Sequence, residues 1–309
     1  MKVQFPTGQT PILCQGITTA SGAAHIERAL AYGSNIVSGV SRDKGVSRFM
    51  NIPVFSTVKE AVRKTKPQIS VIFSSPSRVL ADTEEAIKAQ IPMVICTTTH
   101  VPYHDILRMR ILAQKKHVYL IGPASPGIVV PEQVLAGNMP ADLFPKGAIG
   151  IVSRSSSLTY ESVQQLSARK LGVSTCIGIG SGALLGTSFI PIVDSLLADA
   201  KTKAILIIGK VNSHFEMELA SFLSKKKLRK PVFVYLAGRS QKHVSRAPIL
   251  SCDKIPAQKD VIAHKKKTCA EAGMILISHF DKIGAEIKTY LDEQSFKLNS
   301  KKQMEKKEK

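Results

Sequence analysis

Short apolar runs rich in β-branched residues alternate with amphipathic segments along almost the whole chain. The run PILCQGI predicts a strand, and SGAAHIERALAYG after it predicts a helix ending at Gly33. NIVSGV is a second strand and TVKEAVRKTK a second helix, closed by Pro67. ISVIFSS, PMVICTTT and VYLIGP are further strands, interleaved with helices over SRVLADTEEAIKAQ and YHDILRMRILAQKKH. This beat predicts a parallel sheet covered on both faces, an α/β architecture. Ligands on such sheets collect at the carboxyl ends of the strands. Those ends fall at residues 16–22, 39–44, 74–76, 97–100 and 122–127.

A stretch punctuated by Pro and Gly, residues 123–147, interrupts the rhythm and reads as the connection between domains. The beat then resumes with strands at AIGIV, STCIGIG, AILIIGKV, PVFVYLAG and MILIS. Helices follow from about Ser188, over FEMELASFLSKK, near AHKKKTCAEAG and over FDKIGAEIKTYLDEQ. The expected organisation is two doubly wound domains. Residues 1–130 form a Rossmann-like unit, 131–146 the connection, 147–296 a second α/β unit, and 297–309 a basic disordered tail.

Charge changes the picture more than overall composition does. The 309 residues carry a formal net charge of +20. The tail from Lys297 contributes six lysines against two glutamates, and KKKLRK (225–230) and HKKKT (264–268) are dense spots in the body. Such a balance fits an anionic partner: nucleic acid, an acidic protein, an anionic cofactor or a charged lipid surface. A basic protein of a basic compartment fits it equally. No aromatics interleave with the basic runs, so a base-stacking surface is not supported. Five scattered cysteines without a CxxC pair favour reduced thiols in an intracellular compartment. No apolar run reaches the roughly 20 residues a spanning helix needs, and the first 15 residues read as neither a secretory signal nor an Arg-rich presequence. The eight histidines show no recurring ligand spacing, so no metal site is expected. Neither GxSxG nor GxxxxGK[ST] occurs, which disfavours a serine hydrolase or a self-sufficient nucleotide hydrolase.

The most distinctive stretch is GIVSRSSSLTYES, residues 150–162. An apolar strand stops at Ser153, Arg154, Ser155, Ser156 and Ser157, and a helix pattern follows. Hydroxyls and free amides at a helix start are suited to an anion. The plainer reading is an N-cap, which needs one serine rather than three.

Four pieces together, ILCQGITTASGAAHIERALAYGSNIVSGV, IPVFSTVKEAV, IGPASPGIVVP and GIVSRSSSLTYESV, resemble the alpha subunit of succinate–CoA ligase from about residue 11 to 291. The resemblance implies a coenzyme A-binding Rossmann-like domain followed by a flavodoxin-like ligase domain. It also implies a beta-type partner that holds nucleotide and magnesium if the chain is active. A histidine in that family carries a phosphoryl group from nucleotide to succinate, whose carboxylate is a poor acylating agent until phosphorylated.

Carried onto this sequence, the coenzyme A site comprises Gly16, Thr18, Thr19, Ala20, Ser21, Gly22, Lys44, Ser74, Ser75, Thr97, Thr98 and Thr99. Thr19 stands where the family has glycine, Thr99 and His100 replace a Glu-Gly pair, and Ala124 and Ser125 replace Asn-Cys. The phosphate and substrate site comprises Ser153, Arg154, Ser155, Ser156, Ser157, Tyr160 and Lys210, with Ser156 in place of glycine.

The chemistry breaks at three places. RSQKHVSRAPILS puts Ser245 where the family carries its histidine, after a shortened loop, and leaves His243 as a displaced candidate carrier. IGKVNS places Lys210 where the family's IGEIGG has the glutamate that orients that histidine. GSGALLG lacks the family's aspartate. The expectation is a succinate–CoA ligase alpha-like protein that binds coenzyme A and phosphate, pairs with a beta-type subunit and has lost turnover. The alternatives are an active ligase alpha subunit of the tricarboxylic acid cycle with His243 as carrier, and a pseudoenzyme recruited to a larger assembly, RNA-containing or not. The expected compartment is a mitochondrial matrix or related organelle for a eukaryote, and cytoplasmic otherwise.

Overall fold

The computed structural model describes residues 3–43, 45–211, 213–238 and 258–307. The first half runs β1 (Ile12–Gln15), α1 (Ala20–Ala31), β2 (Ile36–Val40), β3 (Arg48–Phe49), β4 (Ile52–Phe55), α2 (Val58–Thr65), β5 (Ile69–Ile72), α3 (Val79–Lys88), β6 (Met93–Cys96), α4 (Tyr103–Lys116) and β7 (Tyr119–Ile121). The strands form a seven-stranded sheet of order β3-β4-β2-β1-β5-β6-β7. All pairs are parallel except β3 against β4. Local chemistry sets the helix ends. Thr57 caps α2 by accepting from the Glu60 amide at 3.2 Å, and Lys66 closes it in the left-handed conformation.

The second half runs β8 (Gly127–Val130), β9 (Val134–Gly137), β10 (Lys146–Ser153), α5 (Ser156–Ser167), β11 (Val173–Gly178), α6 (Phe189–Ala198), β12 (Ala204–Lys210), α7 (Phe215–Leu223), β13 (Val232–Ala237), α8 (Gln258–Glu271), β14 (Ile275–Leu276) and α9 (Ile283–Lys307). Its sheet has the order β14-β13-β12-β10-β11-β8-β9. Val163, Leu166, Ile283 and Ile287 of α5 and α9 cover one face, while residues of α6, α7 and α8 cover the other. No helix among the described residues is long and apolar enough to cross a membrane.

Two expectations need correction. The stretch 131–146 is more than a connection, because 127–137 folds into an antiparallel hairpin on the edge of the second sheet. Its glycines are structural. Gly127 (φ +104°) and Gly137 (φ +131°) face each other, and a Cβ on Gly127 would lie 2.1 Å from the Ala136 carbonyl oxygen. Pro and Gly mark a linker and a tight hairpin alike, which is why the pattern misleads. The second correction concerns residues 297–309. The backbone of α9 continues to Lys307 instead of ending near 296, in keeping with a segment dominated by the helix formers Lys, Glu, Gln and Met.

The two sheets share one core. Ile12, Ile26 and Ile95 of the first domain belong to the same buried cluster as Ile128, Ala136 and Phe189 of the second. Ser34 Oγ donates to the Leu135 carbonyl at 3.1 Å and accepts its amide at 2.8 Å. His25 on α1 is fully buried, with its ring 4.9 Å from that of Phe73 and Nδ1 3.0 Å from the Gly137 carbonyl oxygen.

Burial pushes His25 down to about 4, so the fold holds its imidazole neutral. Its contribution is therefore complete above the unfolded-state value of roughly 6.5 and is lost as the pH falls below it. The loss should level off once the pH passes below about 4, at about 3 kcal/mol. Urea unfolding between those limits checks this. A His25→Phe variant should show a shallower acid limb, and an unchanged limb would rule out His25 as its source.

Candidate functional site

The carboxyl ends of the first sheet open into a cleft of ≈ 270 Å³ lined by Gly16, Thr18, Thr19, Ser41, Arg42, Ser74, Ser75, Arg78 and Asp82 among others. Gly16 turns the chain from β1 into α1 at φ +75°, where a Cβ would stand 3.0 Å from the Phe73 carbonyl oxygen. Gly22 packs so closely on this turn that a Cβ would lie 2.1 Å from the Gly16 carbonyl oxygen. Thr19 caps α1, accepting the Gly22 amide at 3.1 Å and donating to Gly16 O at 2.7 Å. Its hydroxyl is thus folded back into the turn. Thr18 and Ser41 pair their hydroxyls at 2.7 Å across the cleft floor. Hydrogen bonds from Thr18 and Ser41 hold the Asp43 carboxyl below its ordinary range.

Asp82, in the first turn of α3, organises the opposite wall. It accepts from the Ser74 hydroxyl and faces Arg42 Nη2 at 3.4 Å and Arg78 Nη2 at 3.8 Å. Both guanidinium groups are about half exposed, at 56% and 48%, so they are tethered at the mouth yet accessible. Of the expected cleft residues, Gly16, Thr18, Thr19, Ser74 and Ser75 line it. Ala20 and Ser21 are exposed on the first turn of α1, and Gly22 is buried beneath it. Thr97, Thr98 and Thr99 lie one strand along and do not line it. Thr97 and Thr98 donate to the carbonyls of Ile72 and Ser74, both at 2.7 Å, and brace the β5 end. Lys44 is outside the described residues. Arg42, Arg78 and Asp82 were missed from the sequence, since none sits in a recognisable motif.

A short bridge links this cleft to the second domain. The Ala124 amide donates to Thr98 O at 2.9 Å, and the Ser125 hydroxyl donates to Gly178 O. Gly178 is the register partner of Ser153, where β10 runs into the serine turn. The two sets of strand ends therefore meet at one junction.

At the serine turn the hydroxyls divide their work. Ser153 is buried, accepts the Ser155 amide and donates to the Ser155 carbonyl, both at 3.0 Å. Ser155 is the N-cap of α5, accepting from Leu158 N at 3.5 Å. Ser156 and Ser157 occupy the first helical turn, where amides have no intrahelical acceptor. Tyr160 packs its ring edge-on against Phe144 at 6.4 Å, and burial raises its hydroxyl above the ordinary tyrosine range.

Beneath the turn lies a cluster of charges. Glu216, in the first turn of α7, is wholly buried. It accepts from Lys265 Nζ at 2.7 Å, Ser213 Oγ at 2.8 Å and the Lys210 amide at 2.8 Å. Gly209 permits this approach, because a Cβ there would stand 2.6 Å from Glu216. Arg154 is 3% exposed. It donates to the Gly182 carbonyl, lies 4.9 Å over the Phe215 ring and keeps Nη1 3.9 Å from Glu216 Oε1. Its Nε and Nη1 have no hydrogen-bond partner among the described residues. Lys210 Nζ donates to Ser181 O at 2.9 Å. Burial lowers its ammonium from the usual lysine range, Arg154 adds to this, and Glu216 opposes it.

Three cations thus surround one carboxylate, leaving a net positive cluster beneath the serine turn. Ser153, Arg154, Ser155, Ser156 and Ser157 lie together at the β10–α5 turn, and Lys210 lies at the neighbouring end of β12. Glu216 and Lys265 were not foreseen. Lys265 looked like part of a solvated run, yet it is 2% exposed and also bonds the carbonyls of Lys210 and Ser213 at 2.6 and 2.5 Å. His243 and Ser245 lie outside the described residues.

The chain matches the CoA binding domain family over residues 7–100 and the succinyl-CoA ligase like flavodoxin domain family over residues 146–289. It is 34% identical over 291 residues to the succinate–CoA ligase (ADP-forming) subunit alpha of Staphylococcus epidermidis, covering 91% of this chain and 96% of that one. The Aquifex aeolicus subunit alpha is 36% identical over 284 residues, covering 90% and 91%. Among solved structures, ATP citrate lyase from Methanothrix soehngenii, in complex with citrate and coenzyme A, is similar with a TM-score of 0.80 at 20% identity. That likeness covers 94% of this chain and 51% of the lyase chain, so this chain spans about half its length. A dinucleotide-forming acetyl-coenzyme A synthetase of Korarchaeum cryptofilum gives 0.71 at 18% identity, over 89% and 60%. These two likenesses show a shared fold.

Lys265→Met should remove the shortest ion pair of the buried Glu216, leaving it the more distant Arg154, and cost about 3 kcal/mol of stability. The double variant Lys265→Met/Glu216→Gln should recover much of that loss. Denaturant unfolding of the four-member cycle checks the coupling, and strictly additive losses would contradict it.

Proposed function

Because this chain belongs to the succinate–CoA ligase alpha-subunit family, we propose that it binds coenzyme A in the first-domain cleft and a phosphate-like anion over the serine turn, paired with a beta-type subunit, without passing a phosphoryl group between them. The carrying observation is Lys210. At the strand end where a carboxylate would orient a phosphate-carrying imidazole, an ammonium is tied to Ser181 O above an already positive cluster. A cation there deprives an imidazolium of its acceptor and raises the cost of charging it, while favouring an anion at the helix start.

The cleft residues suit coenzyme A. Arg42 and Arg78 are accessible, pre-tethered donors for phosphate oxygens, and Ser74, Ser75 and Thr18 supply hydroxyls beside a glycine turn that lets backbone approach closely. When bound, coenzyme A supplies a thiol that forms thioesters. The bridge from Thr98 through Ser125 to Gly178 supports a ligand reaching from the cleft toward the serine turn. An organellar matrix, or the cytoplasm of a bacterium, is the compartment that fits this reading.

Titration calorimetry tests both halves. Coenzyme A should bind the full chain, and Arg42→Ala/Arg78→Ala should weaken it at least about tenfold. Inorganic phosphate should bind weakly and lose about tenfold in Lys210→Ala. Incubation with a beta-type subunit and ATP labelled in the γ-phosphate should leave no acid-labile label on this chain. Label at His243 would establish it as a displaced carrier and overturn the proposal.

A further inference from the structure

A further hollow lies at the opposite end of the second sheet from the serine turn. It measures ≈ 890 Å³ and follows the amino-terminal starts of β10, β11, β12, β13 and β14, with α9 as its wall. The adjoining residues Gly147 and Gly172 pack backbone against backbone, a Cβ on Gly147 falling 2.3 Å from Gly172 Cα. This contact keeps the floor open and flat. Leu228, Tyr290 and Leu291 give the floor an apolar surface. Five cations and no carboxylate line the hollow.

Helix carboxyl ends attract cations, and several helices of this domain end here. That effect accounts for part of the charge only. Lys230 does bond the Leu196 carbonyl at 2.9 Å behind α6, and Lys146 pairs with Glu132 at 2.8 Å. Lys170, Lys203 and Arg229 make no side-chain hydrogen bond or ion pair among the described residues. These three cations are exposed beside the apolar trough, so they are available to an anionic partner.

We propose that this trough docks an acidic amphipathic helix of a protein partner, its apolar stripe on Leu228, Tyr290 and Leu291 and its carboxylates against Lys170, Lys203 and Arg229. Charge complementarity selects the partner's sign, and the concave apolar floor selects a peptide over a nucleic acid. A phosphate backbone gains nothing from leucine side chains. The Tyr290 ring already stands edge-on to Phe233 at 5.4 Å, so it is engaged and not free to stack on a base. The site is independent of the coenzyme A reading, since it lies at the other end of the strands.

Fluorescence anisotropy on the full chain tests this in about 0.15 M salt. The probes are a labelled leucine–glutamate peptide of about 18 residues with a helical apolar stripe, its scrambled counterpart, and a labelled polyuridine of about 20 nucleotides. The patterned peptide should bind at least about tenfold tighter than the scramble. K170E/K203E/R229E should abolish that binding, and Leu228→Ser should weaken it while leaving any RNA binding unchanged. Circular dichroism and thermal unfolding confirm that the variants are folded. The surface charge variant keeps the test decisive if Leu228→Ser fails to fold. Equal binding of the scramble, tighter binding of the RNA, or no binding of the patterned peptide would overturn the proposal.

Discussion

One enclosed carboxylate, Glu216, sets the geometry of the second domain's site. A charge without access to water is tolerable only when paired and hydrogen-bonded. Here the partners come from the β12 end, the loop before α7, the serine turn and α8. Those segments are distant in sequence and acquire fixed positions through this one group. Lys265 completes the arrangement by closing the carbonyls of Lys210, Val211 and Ser213 as well. A single ammonium thereby ties the strand end, the turn and the helix together. The rest of the site inherits its sign from this cluster, where the cations exceed what one carboxylate neutralises.

The shared core supplies the second constraint. With α1 and the turn after it bonded to the edge hairpin through His25 and Ser34, the carboxyl ends of both sheets are held near one junction. Parallel sheets place loops and helix starts at those ends. The segment at Ala124 and Ser125 joins two such ends, bonding the Thr98 carbonyl of the first and the Gly178 carbonyl of the second.

Much of this was legible in the sequence, and the failures have physical causes. Buried parallel strands write themselves as apolar β-branched runs, so β1, β5, β6, β10 and β12 could be placed from pattern alone. The serine turn was legible as a helix start because hydroxyls there accept backbone amides, as Ser153 and Ser155 do. The edge hairpin was not, since Gly127, Pro131 and Gly137 carry the same punctuation as a linker and their pairing is non-local. Lys265 was hidden for the opposite reason. In HKKKT every lysine looks alike, and only the helix phase of α8 turns one of them into the core. Arg154 was expected at the anion site, and its position below the turn depends on Phe215 and Gly182, which no local motif announces.

The charge pattern around Glu216 also bears on what the pocket can do with an anion. A phosphoryl carrier must alternate between charge states close to neutral pH. Arg154 stays protonated at any accessible pH, and burial does no more than narrow its margin. Lys265 Nζ lies within hydrogen-bond distance of three carbonyls and the Glu216 carboxylate, which fix the ammonium in position. Lys210 is shifted downward by burial and by Arg154, but its bond to Ser181 O and the nearby Glu216 favour the charged form. Arg154 and Lys210 therefore present positive charge beside the serine turn, which favours an anion there.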